Sequence, residues 1–236
     1  MGYFSYLYYY DWSYIIFMIP CVIISLICQI RVNSAYSKYS KIPNSRNMTG
    51  AQAAYYVLTS NGVTNVRIER VSGRMTDHYD PRTNVIRLSD GVYDSATVAA
   101  VGIAAHEAGH AVQHAENYLP NRIRTAILPV AKIGSQLSWI FIMIGIFLPR
   151  FGNVMIDVGI IFFAASVLFT LSTLPVEFNA SSRALKCIRE TNLLSQQEYS
   201  GAKSVLQAAA MTYVASALTA ILQLFRLIMI ANNRRR

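Results

Sequence analysis

"YIIFMIPCVIISLICQI", residues 14–30, is a run of seventeen residues without a charge. At 1.5 Å per residue, about twenty such residues cross a hydrocarbon layer of roughly 30 Å, so the stretch predicts a membrane helix. Residues 154–174 repeat the pattern, with Asp157 as their sole charge. Residues 127–148 make a third candidate, interrupted by Pro129, Lys132 and Gln136 but clean from Leu137 onward. Residues 205–230 make a fourth, carrying only Arg226. Together these segments explain a chain of 236 residues that is 53% apolar and 14% charged, too oily for an ordinary soluble domain.

The net charge of +9 is informative through its placement. Residues 1–30 hold Asp11 as their only charged group, whereas residues 31–49 hold Arg31, Lys38, Lys41 and Arg46 and no acid. Under the positive-inside rule the first span delivers the chain after residue 30 to the cytoplasm. No basic n-region and no small-residue cleavage site precede Arg31, so residues 1–30 read as a membrane anchor and not as a removable signal. The tyrosines and Trp12 of "YFSYLYYYDWSY" suit an aromatic belt at the interface. The basic residues flank apolar spans and form no stripe with aromatics, which argues against a nucleic-acid partner. Cys21 and Cys28 lie in the first span and Cys187 in a cytoplasmic stretch, so the three read as reduced and structural.

Residues 31–126 have the length of one small cytoplasmic domain. Thr49 can cap a helix with Ala51, Ala54, Tyr55 and Leu58 on one face, ending at Gly62. Val66 and Ile68 then alternate with Arg67 and Glu69, and a second short strand covers residues 85–88. Between them "MTDHYDPRTN" carries the turn formers Asp80, Pro81 and Asn84, which predicts a hairpin or a longer loop joining the two strands. Ser95 is the expected cap of a helix over residues 96–116, and Pro120 marks its exit. The expected class is an α-helical integral membrane protein with a small α+β domain. After that domain come a membrane hairpin at residues 127–175, a cytoplasmic segment at 176–204 and a hydrophobic helix with a basic tail at 205–236. If this last helix spans, Arg234, Arg235 and Arg236 end outside against the charge rule; if it stays inside, it must pack on the domain or lie in the interface.

The expected helix contains "AAHEAGHAVQHAE", residues 104–116. Residues four apart share a helix face, so the imidazoles of His106 and His110 can converge on one ion and Glu107 can address a ligand of that ion, the HExxH spacing of zinc peptidases. Zinc with an open coordination position brings a bound water to a pKa of about 7, and the neighbouring carboxylate takes the proton, which makes Glu107 the candidate general base. A third ligand is required. His114 is eight residues beyond His106, about 12 Å along a continuous helix, too far for both rings to reach one ion at ~2 Å. His78, in "TDHYD", reads as a solvated loop residue or a contact on the substrate side. Glu177 follows the run at 154–174 and, if that span returns the chain to the cytoplasm, lies on the same side as the motif, as a solvated glutamate or as the missing ligand.

Three segments bear on that choice: "DHYDPRTNVIRLSDGVYDSATVAAVGIAAHEAGHAVQHAENY" (77–118), "TLPVEFNASSRAL" (173–185) after the membrane hairpin, and "LQAAAMTYVASALT" (206–219). In this order, over nearly the whole chain, they resemble the YugP-like membrane neutral zinc metallopeptidases. That family is similar to the integral-membrane zinc endopeptidases in which HExxH is completed by the Glu of a later ExxA motif. The resemblance implies a zincin-like catalytic domain and one zinc ion on His106, His110 and Glu177, with Glu107 as base. It also implies a peptide or protein substrate, with a strand edge before the motif helix open to an extended chain. One departure stands out: Asn179 occupies the place of an acid in the family's Glu-Phe-Asp-Ala-Ser pattern, weakening without abolishing a role in orienting a ligand histidine. Arg183 reads first as a solvated cation, ahead of a structural partner or a contact to the oxyanion, and Tyr213 first as a packing residue, ahead of a hydrogen-bond donor to a tetrahedral intermediate. The alternative to an endopeptidase is a non-catalytic membrane protein with a structural zinc site, in which Glu107 would have no task.

Overall fold

The computed structural model describes residues 3–148 and 151–234, and side chains from Tyr14 onward. The side chains of most of the expected aromatic belt, and the terminal Arg235 and Arg236, lie outside what is described. The chain order is α1 (Tyr3–Tyr39), α2 (Gly50–Ser60), β1 (Arg67–Val71), β2 (His78–Asp80), β3 (Val85–Ser89), α3 (Asp90–Tyr93), α4 (Val98–Ala115), α5 (Leu119–Phe147), α6 (Gly152–Glu190) and α7 (Gln196–Arg234). Four of these, α1, α5, α6 and α7, are long and apolar enough to cross a membrane. Prolines 20, 129 and 175 all lie inside these helices. Membrane helices tolerate them because neighbouring groups satisfy the carbonyls that they free.

The residues fall into two compact units. The first comprises Met1–Ile27, Arg122–Leu174 and Thr212–Arg236. Small residues let its helices approach closely, as expected of packing in lipid. A Cβ on Gly159 of α6 would stand 2.9 Å from the carbonyl oxygen of Ser138 on α5, and one on Gly134 would stand 2.9 Å from that of Phe162. Phe141 and Phe162 stack with centroids 5.5 Å apart. Arg226, only 2% exposed, lies 4.9 Å from the centre of the Tyr14 ring.

The second unit, Cys28–Asn121 with Pro175–Met211, carries the sheet and the motif helix. Its α2 begins as the sequence predicts: the Thr49 side chain accepts from the Gln52 amide while the Gln52 side chain accepts from the Thr49 amide. Such a cap is worth about 1 kcal/mol. The strands depart from the expected hairpin. β1 runs parallel to β3 in the register Arg67↔Val85, and β2 pairs antiparallel with β3, giving the order β1-β3-β2. The stretch expected to be a connector therefore contains an edge strand of its own. Its "HYD" has no apolar alternation to betray it, and the pairing follows from fixed points on either side. Asp77 accepts from the Ser89 amide at 2.7 Å and from its hydroxyl at 3.0 Å, while Asp80 accepts from the Arg82 amide and the Thr83 hydroxyl to close the turn. Asn84 takes φ +53°, a conformation that Asn tolerates better than most residues. Central β3 is covered on both faces, with Val85, Ile86 and Leu88 fully buried, each contributing roughly 1.5–3 kcal/mol.

The α4 cap also differs from expectation. Thr97, not Ser95, accepts from the Ala100 amide, because the Ser95 backbone is engaged elsewhere: its N–H donates to Val92 and its carbonyl accepts from Gly50. Pro120 sits in the first turn of α5, where its missing N–H costs nothing. α4 is nearly all alanine, glycine and valine outside the motif, and its small side chains are buried. A Cβ on Gly102 would come within 3.2 Å of Ala202 Cβ on α7, and one on Gly109 within 2.8 Å of the Ala180 carbonyl oxygen on α6. The second approach brings α6 against the histidine face of α4.

Candidate metal centre

His106 and His110 lie one turn apart on α4 with ring centroids 4.7 Å apart and planes at 81°. Their Nε2 atoms are 3.4 and 3.5 Å from Glu177 Oε2, and the three groups offer ligand atoms all within 4.8 Å of one another. Atoms ~2.0–2.1 Å from a tetrahedral ion stand roughly 3.3–3.4 Å apart, so both nitrogen–oxygen separations leave room for a shared ion. Two imidazoles and a carboxylate are also a donor set that zinc takes. The residues fit the group that the spacing implies.

The surroundings are built to the same end. Glu177 is 4% and Glu107 9% exposed, so two carboxylates are withdrawn from solvent beside the histidines. Burial works against a charged His110, yet its hydrogen bond to Glu177, the charges of Glu107 and Glu177 and its contact with Gln113 hold its pKa above the ordinary histidine value. A site this negative suits a cation. Each ring is also held from behind: His106 Nδ1 lies 3.1 Å from Ser181 Oγ, and His110 Nδ1 lies 3.1 Å from Gln113 Oε1. With Nδ1 occupied, Nε2 of each ring is left for the centre.

The other residues singled out from sequence lie apart from this cluster. His114 Nδ1 is 2.8 Å from the Tyr79 hydroxyl, which itself donates to Asn84, and so it fastens α4 to β2. Burial, with the nearby charge of Asp80, pushes the Tyr79 phenol up to about 12. His78 is exposed and its ring reaches the Thr76 carbonyl, at 2.8 Å. Tyr213 is 37% exposed. Arg183 is a structural partner and not the solvated cation that the sequence suggests first: it donates to Asn179 at 2.7 Å and pairs with Glu116 at 2.7 Å. Asn179 stands at one remove from the candidate ligands, its Oδ1 accepting from Gln113 at 2.9 Å. Sequence reasoning passed over Gln113 and Ser181. The signal for Gln113 was present, since an amide three residues after His110 on an otherwise apolar helix calls for a polar partner.

Comparison with known proteins agrees with this chemistry. A family model described as "Putative neutral zinc metallopeptidase" matches residues 14–232. The chain is 42% identical over 222 residues to the "Putative membrane protease YugP" of Bacillus subtilis (strain 168), covering 94% of this chain and 98% of that protein. No solved structure matches.

Proposed function

The chain belongs to the neutral zinc metallopeptidase family, and from that premise we propose that it is a membrane-anchored, zinc-dependent endopeptidase whose ligands are His106, His110 and Glu177 and whose general base is Glu107. The observation that carries the reading is the convergence of two Nε2 atoms and one carboxylate oxygen within 4.8 Å. When bound, a single zinc ion would supply Lewis acidity toward a peptide carbonyl and a water of pKa about 7. Glu107, buried and next in sequence to a ligand, accepts the proton of the attacking water and returns it to the leaving amine. Ser181 and Gln113 hold the imidazoles in place. The substrate is a peptide or protein chain, and β2, which among the described strands pairs with β3 alone, leaves an edge near α4 for an extended segment.

Glu107→Gln separates this reading from a structural zinc site. Cleavage of a casein substrate by purified protein should fall by at least a thousandfold while zinc content stays at the wild-type level. Undiminished cleavage by the variant would remove Glu107 from the reaction, and absence of cleavage by wild-type protein that carries zinc would favour the structural site.

A further inference from the structure

Gln113 is fully buried, and its amide bridges α4 and α6. Its Nε2 lies 2.8 Å from the Val176 carbonyl oxygen and 2.9 Å from Asn179 Oδ1, both on α6, while its Oε1 lies 3.1 Å from His110 Nδ1. A carbonyl oxygen only accepts. The Asn179 oxygen also accepts from Arg183 Nε at 2.7 Å, which fixes it as the oxygen end of that amide. Both N–H groups of Gln113 are therefore committed to α6, its oxygen must face His110, and His110 must present Nδ1–H to it. The alternative tautomer would set a bare nitrogen against a bare oxygen.

We propose that Gln113 is a positioning residue that fixes the His110 tautomer and aims its Nε2 at the metal centre, with its own orientation set by Val176 and by the Asn179–Arg183 pair. The device rests on the ligand set proposed above, but it makes a separate demand. Metal-ligating histidines are often oriented by a carboxylate, which needs only to accept. Here the orienting group must donate twice as well as accept once. A glutamate at this position would turn its carboxylate toward two carbonyl oxygens and lose both anchors on α6. The asparagine at 179 is compatible with the same device, because the atom used is an oxygen that an aspartate also has.

The test measures metal binding, not turnover, in the full-length protein purified in detergent. Zinc affinity is read by competition with a chromophoric chelator, ligand geometry by the visible spectrum of the Co²⁺-substituted protein, and folding by the melting curve of the metal-free form. Gln113→Leu and Gln113→Glu should each weaken zinc by roughly ten- to a hundredfold and alter the Co²⁺ bands, whereas Asn179→Asp should stay within about threefold of wild type. Wild-type affinity in Gln113→Glu would overturn the requirement for donation, and wild-type affinity in Gln113→Leu would overturn the positioning role. Should Gln113→Leu fail to fold, Gln113→Glu, which keeps the shape and the acceptor but not the donors, decides alone. The Glu177→Ala variant tests the ligand set separately: if zinc binding survives there, the proposed centre fails and the role of Gln113 falls with it, whereas zinc lost in Glu177→Ala but kept at wild-type affinity in Gln113→Leu overturns the role of Gln113 alone.

Discussion

Ser181 stands to His106 as Gln113 stands to His110, but with a lighter grip. A single hydroxyl lies 3.1 Å from Nδ1, where Gln113 supplies a whole amide tied to α6 at two points. A single neutral hydrogen bond is worth about 1 kcal/mol net, or roughly fivefold in an equilibrium constant. Ser181→Ala is therefore expected to weaken zinc about fivefold, less than either change at Gln113, by the same chelator competition. A loss above a hundredfold would mean that the hydroxyl does more than hold the ring. The two supports differ from the motif in legibility for a plain reason. HExxH names its own partners through a fixed helical period, whereas Ser181 meets its ring, and Gln113 its anchors Val176 and Asn179, only when α6 packs against α4.

At the level of elements, that packing depends on Gly109. Its hydrogen faces the Ala180 carbonyl, and a methyl there would sit 2.8 Å from a backbone oxygen that moves only if α6 moves. Because Glu177 lies three residues before Ala180 on the same helix, Gly109→Ala should both lower stability by about 1–3 kcal/mol and weaken zinc. Melting curves and zinc titration of the purified variant check this, and a variant that melts and binds like wild type would show that the close approach is not needed. The long elements were legible because length and apolarity alone define them: each of the four apolar runs, at 14–30, 127–148, 154–174 and 205–230, falls to within one residue inside one long helix. The short ones were not. β2 is three polar or amphipathic residues held by the carboxylates of Asp77 and Asp80, and no periodicity survives over so few positions. The cap of α4 went to Thr97 because tertiary hydrogen bonds had already taken the backbone of Ser95. Counting spans predicts Glu177 on the same side of the membrane as the motif, but the ligand role proposed for it came from the resemblance; distances could come only from the fold.

For the whole molecule, the charge distribution predicts an orientation. Arg31, Lys38, Lys41 and Arg46 follow the first apolar run without an acid among them, so the unit that carries His106 is expected in the cytoplasm. The native cysteines are all buried, so one introduced in place of Met75, 40% exposed between β1 and β2, would be the accessible thiol. In intact cells a membrane-impermeant maleimide should leave Met75→Cys unlabelled until the cells are permeabilised. Labelling of intact cells would invert the topology.

In the proposed enzyme one ion is held jointly by two α4 imidazoles and a carboxylate from α6. Metal analysis of the purified full-length protein beside its Glu177→Ala variant tests it most directly. Wild-type protein should carry about one zinc per chain and the folded variant a small fraction of that, consistent with the three-ligand set of a catalytic site. Wild-type protein without zinc under zinc-replete conditions, or a variant that retains it in full, would contradict the claim.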